Sequence, residues 1–460
     1  MSLSQRLAEH VARTRFEDVP DVAIEAAKRS LLDAIGVSLG ASGLEPACAV
    51  FIEQALAVQG KRESTILGWN EKAPASLAAL ANGALGHALD FEDAYDGAPL
   101  HPNAALIPAV LALAEARGPV SGRDLLTAIA VGCDLACRLA LCVRTPAESL
   151  GWYPPPIFGA YAAVAGAGRL LQLDAARMLD AFSLTLCQAT CSGEIKNSPY
   201  SVLRAVREAF PAQIGVVSAQ LAERGVRGFD LPFEGEFGFF RLFVAGDYDP
   251  DVLTDRLGSY FFGAEVSFKP WPSCRGTHAF IEAAQALRAA HKFTPDDIEQ
   301  IEMWGGALQQ MLVRPIESKR APRTAIDAKF SLPFVVATAL LRDDVTLKDF
   351  AASALQDRAV LALAKKAEHH VIADWGPKRG ASGRLVLRLG DGRTLEREVL
   401  EPLGSPSNPL AWERLVQKAV TCAAHARTPV FEGAMRGFAR AVETLECAAD
   451  VGAVLLRSLS

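Results

Sequence analysis

Residues 121–142 read SGRDLLTAIAVGCDLACRLALC, and this stretch decides the fold class. Ser121 stands ahead of the apolar run as a helix N-cap in a capping box, its side chain accepting a free N–H of the first turn. Leu125 to Cys142 is then apolar on most faces. A helix that is hydrophobic nearly all round has to be enclosed by other helices. The same alanine-rich texture recurs at Ala78–Leu89, Ala104–Ala116, Ala160–Leu171 and Ala176–Thr190, which together predict a layered helical bundle. Farther out, Val22, Ala26, Leu31, Ile35 and Val37 lie near one helical stripe, with Glu25, Lys28 and Arg29 expected outside it. The segment SVLRAVREAFPAQIG (201–215) also reads as helix, with Arg204 and Arg207 as an i,i+3 basic pair that serves either as a surface ion-pair partner for Glu208 or as guanidinium forks for a carboxylate.

After about Glu265 the pattern changes. A helix predicted over THAFIEAAQALRAAH is followed by a short extended run through Ile298, Ile301, Met303 and Trp304. Arg384–Leu389 and Thr394–Val399 alternate with period two around Gly390-Asp391-Gly392, a hairpin signal. Ser405-Pro-Ser-Asn-Pro409 breaks the chain, and Trp412–Leu456 returns to helical periodicity. A pair of terminal helices buries too little apolar surface alone, so these are expected to pack back on the first bundle. The expected units are a helical domain (1–264), a smaller α+β domain (265–404) and the returning helices (405–460).

A chain of 460 residues, 50% hydrophobic and 22% charged, is globular and too long for one core. Its net charge of -6 argues against a nucleic-acid binder. The nine cysteines include no CxxC, and the two i,i+4 pairs, Cys133/Cys137 and Cys187/Cys191, have no histidine at ligand spacing beside them, so they read as small buried thiols. Charged residues interrupt the N-terminus where a secretory signal needs an apolar stretch, and the apolar runs at 104–114 and 154–168 are too short for a membrane span. A cytoplasmic location is expected. No GxxxxGK[ST] or GxSxG occurs, and the glycines at 166 and 168 lack the strand and third glycine of a dinucleotide site.

The densest chemistry lies in HALDFEDAYDGAPLHPN (87–103), with His87, Asp90, Glu92, Asp93, Asp96 and His101. Carboxylates beside imidazoles orient a tautomer and raise ring basicity, as acid/base catalysis requires. A solvated acidic loop or a divalent-metal site has the same composition. SFKPWPSCRGTHAF (267–280) brings Lys269, Arg275 and His278 to a helix entrance where they can converge on a carboxylate. Tyr153 sits in the proline-stiffened turn GWYPPPIFGA.

Seven ordered segments carry a wider resemblance: RSLLDAIGVSLGAS, ALANGALGHALDFEDAY, HPNAALIPAVLALAEA, SGRDLLTAIAVGCDLACRLA, FGAYAAVAGAGRLLQLD, FKPWPSCRGTHAFIEAA and DAKFSLPFVVATAL. Between about residues 22 and 430 the chain resembles the MmgE/PrpD family, which includes 2-methylcitrate dehydratase, cis-aconitate decarboxylase and iminodisuccinate epimerase. The resemblance implies a large all-helical domain built from both chain ends and a smaller α+β lid domain, with the active site between them. It also implies a homodimer that uses neither metal nor organic cofactor. Asp90, His101 and Lys269 match the family's acid/base residues. Tyr153 stands where decarboxylase-like members have His, Arg204 where they have Lys and Ala94 where they have Thr, and one extra residue precedes His101.

The expected activity is a hydro-lyase of the 2-methylcitrate dehydratase type, acting on a small di- or tricarboxylate. His101, oriented by Asp90, moves the proton, while Lys269, Arg204 and Arg275 hold carboxylates with His278 beside them. The alternative is a two-base epimerase using Tyr153 and Lys269. A non-enzymatic helical interaction protein is the third reading.

Overall fold

A computed structural model describes residues 1–198, 201–376 and 379–456. The chain divides into two compact units, Met1–Val266 with Ala411–Ser460, and Ser267–Leu410. The first is mainly helical, with a two-stranded ribbon of Ser64–Ile66 and Glu71–Ala73, and the second combines helices with a four-stranded sheet.

In the helical unit the central element is Pro154–Leu170, in which every residue from Pro154 to Gly168 is buried. Three helices surround it: Asn103–Arg117, Gly122–Leu141 and Ala209–Glu223. Small residues set their separation. A Cβ on Gly132 would lie 2.6 Å from the Ala162 carbonyl oxygen, so the bare glycine lets two backbones approach. Ser121 caps Gly122–Leu141 by accepting from Asp124 N at 3.1 Å. The Asp124 carboxylate returns to the Ser121 hydroxyl, at 2.7 Å, so the reciprocal half of the expected capping box is a side-chain contact.

The long helix Asp21–Leu44 joins the bundle to the C-terminal helix Trp412–Ala423. The contact is backbone-close, because a Cβ on Gly36 would lie 2.7 Å from Ala419 Cα. This packing corrects the expected stripe. Lys28 is buried, its ammonium 2.7 Å from Glu446 and 2.8 Å from the Glu443 carbonyl, whereas Val22 is exposed. The returning C-terminal segment covers the Lys28 side, which amphipathicity within one helix cannot reveal.

Two further expectations change. Residues 201–208 form turns, and the helix begins only at Ala209. Cys187 and Cys447 are exposed, and Cys191 and Cys274 are half-buried, whereas the other five cysteines are buried as expected. Among the described residues no single helix is long and apolar enough to cross a membrane.

In the second unit, Ile298–Gly305 pairs parallel with Ala367–Val371 and antiparallel with Gly383–Leu389. Gly383–Leu389 pairs antiparallel with Thr394–Val399 through the expected hairpin. Ile301, Met303, Leu385 and Leu387 face a core that includes Phe280 and Ile281 of the helix His278–Ala290 and Phe334 and Val335 of the helix Leu332–Leu341. Fully burying each large aliphatic side chain contributes about 1.5–3 kcal/mol, so this unit has a substantial core of its own.

Candidate active site

The helix Ala75–Ala88 ends one residue after His87, where the chain turns into the acidic segment. Asp90 N–H bonds back to the His87 carbonyl at 2.8 Å, and Asp90 takes φ +48°, the left-handed region that stops a helix. Aspartate is one of the few residues besides glycine that visits this region routinely. The turn folds Glu92 back beside His87, and the chain then returns through Gly97 and Pro99 to His101.

His87, Asp90, Glu92 and His101 bring one potential ligand atom each within 4.8 Å of one another. Glu92 is the hub. Its Oε1 reaches Nδ1 of His87 in a very short contact and Nδ1 of His101 at 2.8 Å. His101 Nδ1 is also 3.0 Å from the Asp93 carbonyl oxygen. The two rings stand edge to face with centroids 5.0 Å apart. The carboxylate at hydrogen-bond distance from His101 is therefore Glu92, the neighbour-but-one of the Asp90 expected in that role. In composition the quartet could hold a divalent cation, but Glu92 already serves Nδ1 of both rings.

Burial separates the members. His87 and Asp90 are fully buried and the Glu92 side chain is 2% exposed, whereas the His101 side chain is 15% exposed. With Nδ1 turned to Glu92, Nε2 is the nitrogen of His101 left for proton transfer. It has no hydrogen-bond partner among the described residues.

Asp93 braces the segment from behind. Its Oδ2 accepts from Ser30 at 2.7 Å and from Asn103 at 2.6 Å. Burial raises the Asp93 carboxyl above its usual range, and those two donors work against the shift.

A buried cation of the cluster is Arg207, which on spacing alone reads as half of a surface pair. It is buried, with Nη1 3.0 Å from the Tyr153 hydroxyl and Nε 3.1 Å from Glu208 Oε1. Burial works to lower this guanidinium, but Tyr153, Glu208, Glu92 and Asp90 together raise it. Burial raises Glu208, which Arg207 opposes. Tyr153, N-cap of the central helix, is buried and receives Arg207 from one side.

The remaining expected residues have these surroundings. Arg204 is half-buried in the turns before Ala209. In the other unit Lys269 is fully buried. Arg275 donates to the Leu403 and Pro402 carbonyls at 2.9 and 3.3 Å and to Ser405 Oγ at 2.7 Å. Its Nη1 lies 3.3 Å from His278 Nδ1, and His278 Nε2 is 3.1 Å from the Ser273 carbonyl oxygen. Within that unit Arg275 ties the 402–405 turn to the helix entrance.

A model of the MmgE/PrpD N-terminal domain matches residues 5–251, and one of the C-terminal domain matches residues 271–435. The chain belongs to the MmgE/PrpD family. Among its relatives within MmgE/PrpD is the cis-aconitate decarboxylase-like protein oryM of Aspergillus oryzae, 27% identical over 88% of this chain and 87% of that protein. The cis-aconitate decarboxylase of Aspergillus terreus is 24% identical over 88% and 86%, and that of Homo sapiens 26% over 91% and 87%.

The electrostatics of the cluster make a measurable prediction. Burial, followed by the nearby Arg207, pushes the His87 imidazole down to about 3. Between its ordinary value of about 6.5 and about 3, the unfolded chain carries a proton that the folded protein refuses. Stability therefore falls as pH drops through this window, by up to about 1.4 kcal/mol per pH unit from this group. His87→Gln removes that contribution. Melting curves from pH 7 to 4 are expected to show a shallower loss for the variant, and equal slopes would contradict a neutral buried His87.

Proposed function

We propose that this protein is a lyase that works without metal or organic cofactor on a small di- or tricarboxylate, moving a proton at the carbon next to a carboxylate. The observation that carries this reading is Glu92 accepting from Nδ1 of both His101 and His87. That arrangement fixes His101 as the Nδ1–H tautomer, leaves Nε2 as the base, and stabilises the imidazolium once the proton is taken. Proton removal next to a carboxylate places growing negative charge on the substrate, which fixed cations must offset. Arg207 is the cation beside the relay, and Lys269 and Arg204 are the partners carried over from the family resemblance. Arg275 and His278 complete that set as the cationic pair at the entrance of the helix His278–Ala290, with Arg275 exchanging its carbonyl partners for the substrate carboxylate.

In its finer form the reading is a hydro-lyase. His101 takes the C–H proton, the electron pair becomes the C=C bond, and hydroxide leaves from the adjacent carbon with a proton delivered by Tyr153. The Tyr153 hydroxyl accepts from Arg207 Nη1, so its own proton is the one it can donate. A second reading, decarboxylation, is favoured by the relatives, which are named as cis-aconitate decarboxylases or decarboxylase-like. There CO2 leaves first and protonated His101 returns a proton to the carbanion. Both routes rest on His101 and the same carboxylate-holding cations, but elimination breaks a C–H and a C–O bond with Tyr153 as the acid, whereas decarboxylation breaks a C–C bond and starts from protonated His101.

A panel of di- and tricarboxylates followed by proton NMR in deuterated water separates them. The expected result is a new vinylic signal from a hydroxylated member. Loss of a carboxylate with one deuteron incorporated would establish the decarboxylase, and exchange of the α-hydrogen with no new double bond the epimerase. Absence of all three across the panel would sink the catalytic reading. A homodimer in the cytoplasm remains part of the proposal.

A further inference from the structure

We propose that Lys418, on the C-terminal helix Trp412–Ala423, is a positioning residue for the Glu92 relay, acting as a pair with Asp33 through Phe91. This rests on the reading of Glu92 and His101 as the acid/base centre.

Phe91 stands between Asp90 and Glu92. Its carbonyl oxygen accepts from Lys418 Nζ at 2.6 Å, and the same ammonium lies 4.0 Å from the centroid of its ring. One cation therefore grips Phe91 by both backbone and side chain. The ammonium is in turn 2.6 Å from Asp33 Oδ1, and both side chains are almost fully buried. Burial raises the Asp33 carboxyl to about 6, and Lys418 works in the opposite direction to keep it ionised.

The turn needs such a grip. Asp90 sits at φ +48°, which aspartate tolerates better than most residues but which is still strained enough to lean on its surroundings. The long helix Asp21–Leu44 supplies the surroundings from one face. Asp33 holds Lys418 on Phe91, and Ser30, one turn earlier, holds Asp93 at 2.7 Å. Glu92 is thus clamped on both sides, and its carboxylate can serve two imidazoles at once only while that clamp is closed. Nothing in the local sequence announces this, because Lys418 lies 327 residues beyond Phe91.

The test uses the full chain labelled with [15N]histidine, since ring-nitrogen shifts report which nitrogen carries the proton. His101 and His87 are assigned with single His→Gln variants. In the wild type at pH 7.5 both rings are expected as fixed Nδ1–H tautomers. In Lys418→Met the His101 signals are expected to move toward tautomer averaging. The kcat on whichever polycarboxylate is turned over should fall tenfold to about a hundredfold, the scale of an ångström-level misplacement, with KM within about threefold. Lys418→Arg, which can still reach Asp33 and the Phe91 carbonyl, should restore both readings in large part.

Leaving Asp33 buried and unpaired threatens the fold, so Lys418→Met/Asp33→Asn removes both charges together. A folded single or double variant with wild-type ring shifts overturns the proposal. Shifts that respond as expected while no polycarboxylate is turned over would sustain the clamp and defeat the lyase reading. Turnover accompanied by unmoved shifts would do the reverse.

Discussion

His101→Ala is expected to lower kcat by about 10²- to 10⁴-fold, the range for loss of a positioned proton-transfer group. The fold should survive. The side chain is the partly exposed member of its cluster, and truncation leaves the Glu92–His87 contact in place. Glu92→Gln is the informative companion. The amide oxygen can still accept from an Nδ1–H, but it carries no charge to stabilise an imidazolium at His101. The activity of that variant should fall at least about tenfold, since charge-assisted hydrogen bonds contribute about 1.5–3 kcal/mol. Asp90→Asn separates the two carboxylates: if Asp90 mainly shapes the left-handed turn, which asparagine tolerates, its loss is smaller than that of Glu92→Gln. Steady-state kinetics and α-hydrogen exchange in deuterated water measure all three. Wild-type kcat in His101→Ala would remove this imidazole from the mechanism.

What could be read in advance divides along a physical line. Helices enclosed on every side, such as Gly122–Leu141 and Pro154–Leu170, announce themselves because burial on all faces leaves a continuous apolar run. The Gly383–Leu389 and Thr394–Val399 hairpin is legible for a similar reason: a period of two with a Gly-Asp-Gly turn is local information. The acidic segment with His87 and His101 was visible as a cluster because its members lie within seventeen residues of each other. Which carboxylate serves which ring was not visible. That depends on the left-handed turn at Asp90, which brings Glu92 back beside the helix end. Spacing pairs Arg207 with Glu208 correctly but places the pair on the surface, where it does not lie. An i,i+3 basic pair before Glu208 looks like a solvated face, yet residues 201–208 are turns and Arg207 is buried against Tyr153. Lys28 and Lys418 escaped for the opposite reason, since their partners come from the far end of the chain.

Arg207 carries the second large expected effect. Arg207→Met alone strips the buried Glu208 of its partner, and breaking a buried pair from one side costs about 3–5 kcal/mol of stability. The useful variant is Arg207→Met/Glu208→Gln, which removes both charges and lets the glutamine amide keep hydrogen bonds. Truncating one partner of a buried charge-assisted contact costs about 2–5 kcal/mol, so kcat/KM is expected to fall roughly 30-fold to several thousandfold. Arg207→Lys should recover little. An ammonium cannot span the Tyr153 hydroxyl and the Glu208 carboxylate as the planar guanidinium does. The variants also distinguish two uses of the charge. If Arg207 holds a substrate carboxylate, the loss falls mainly on KM when substrate dissociation is fast. If it holds the cluster's protons in place, removing it lets His87 rise from about 3, because Arg207 is the charge that adds to burial there. A protonated His87 would compete with His101 for Glu92, and activity would fall at a higher pH than in the wild type. A pH–rate profile of the double variant decides between them, and an unchanged kcat/KM would exclude both.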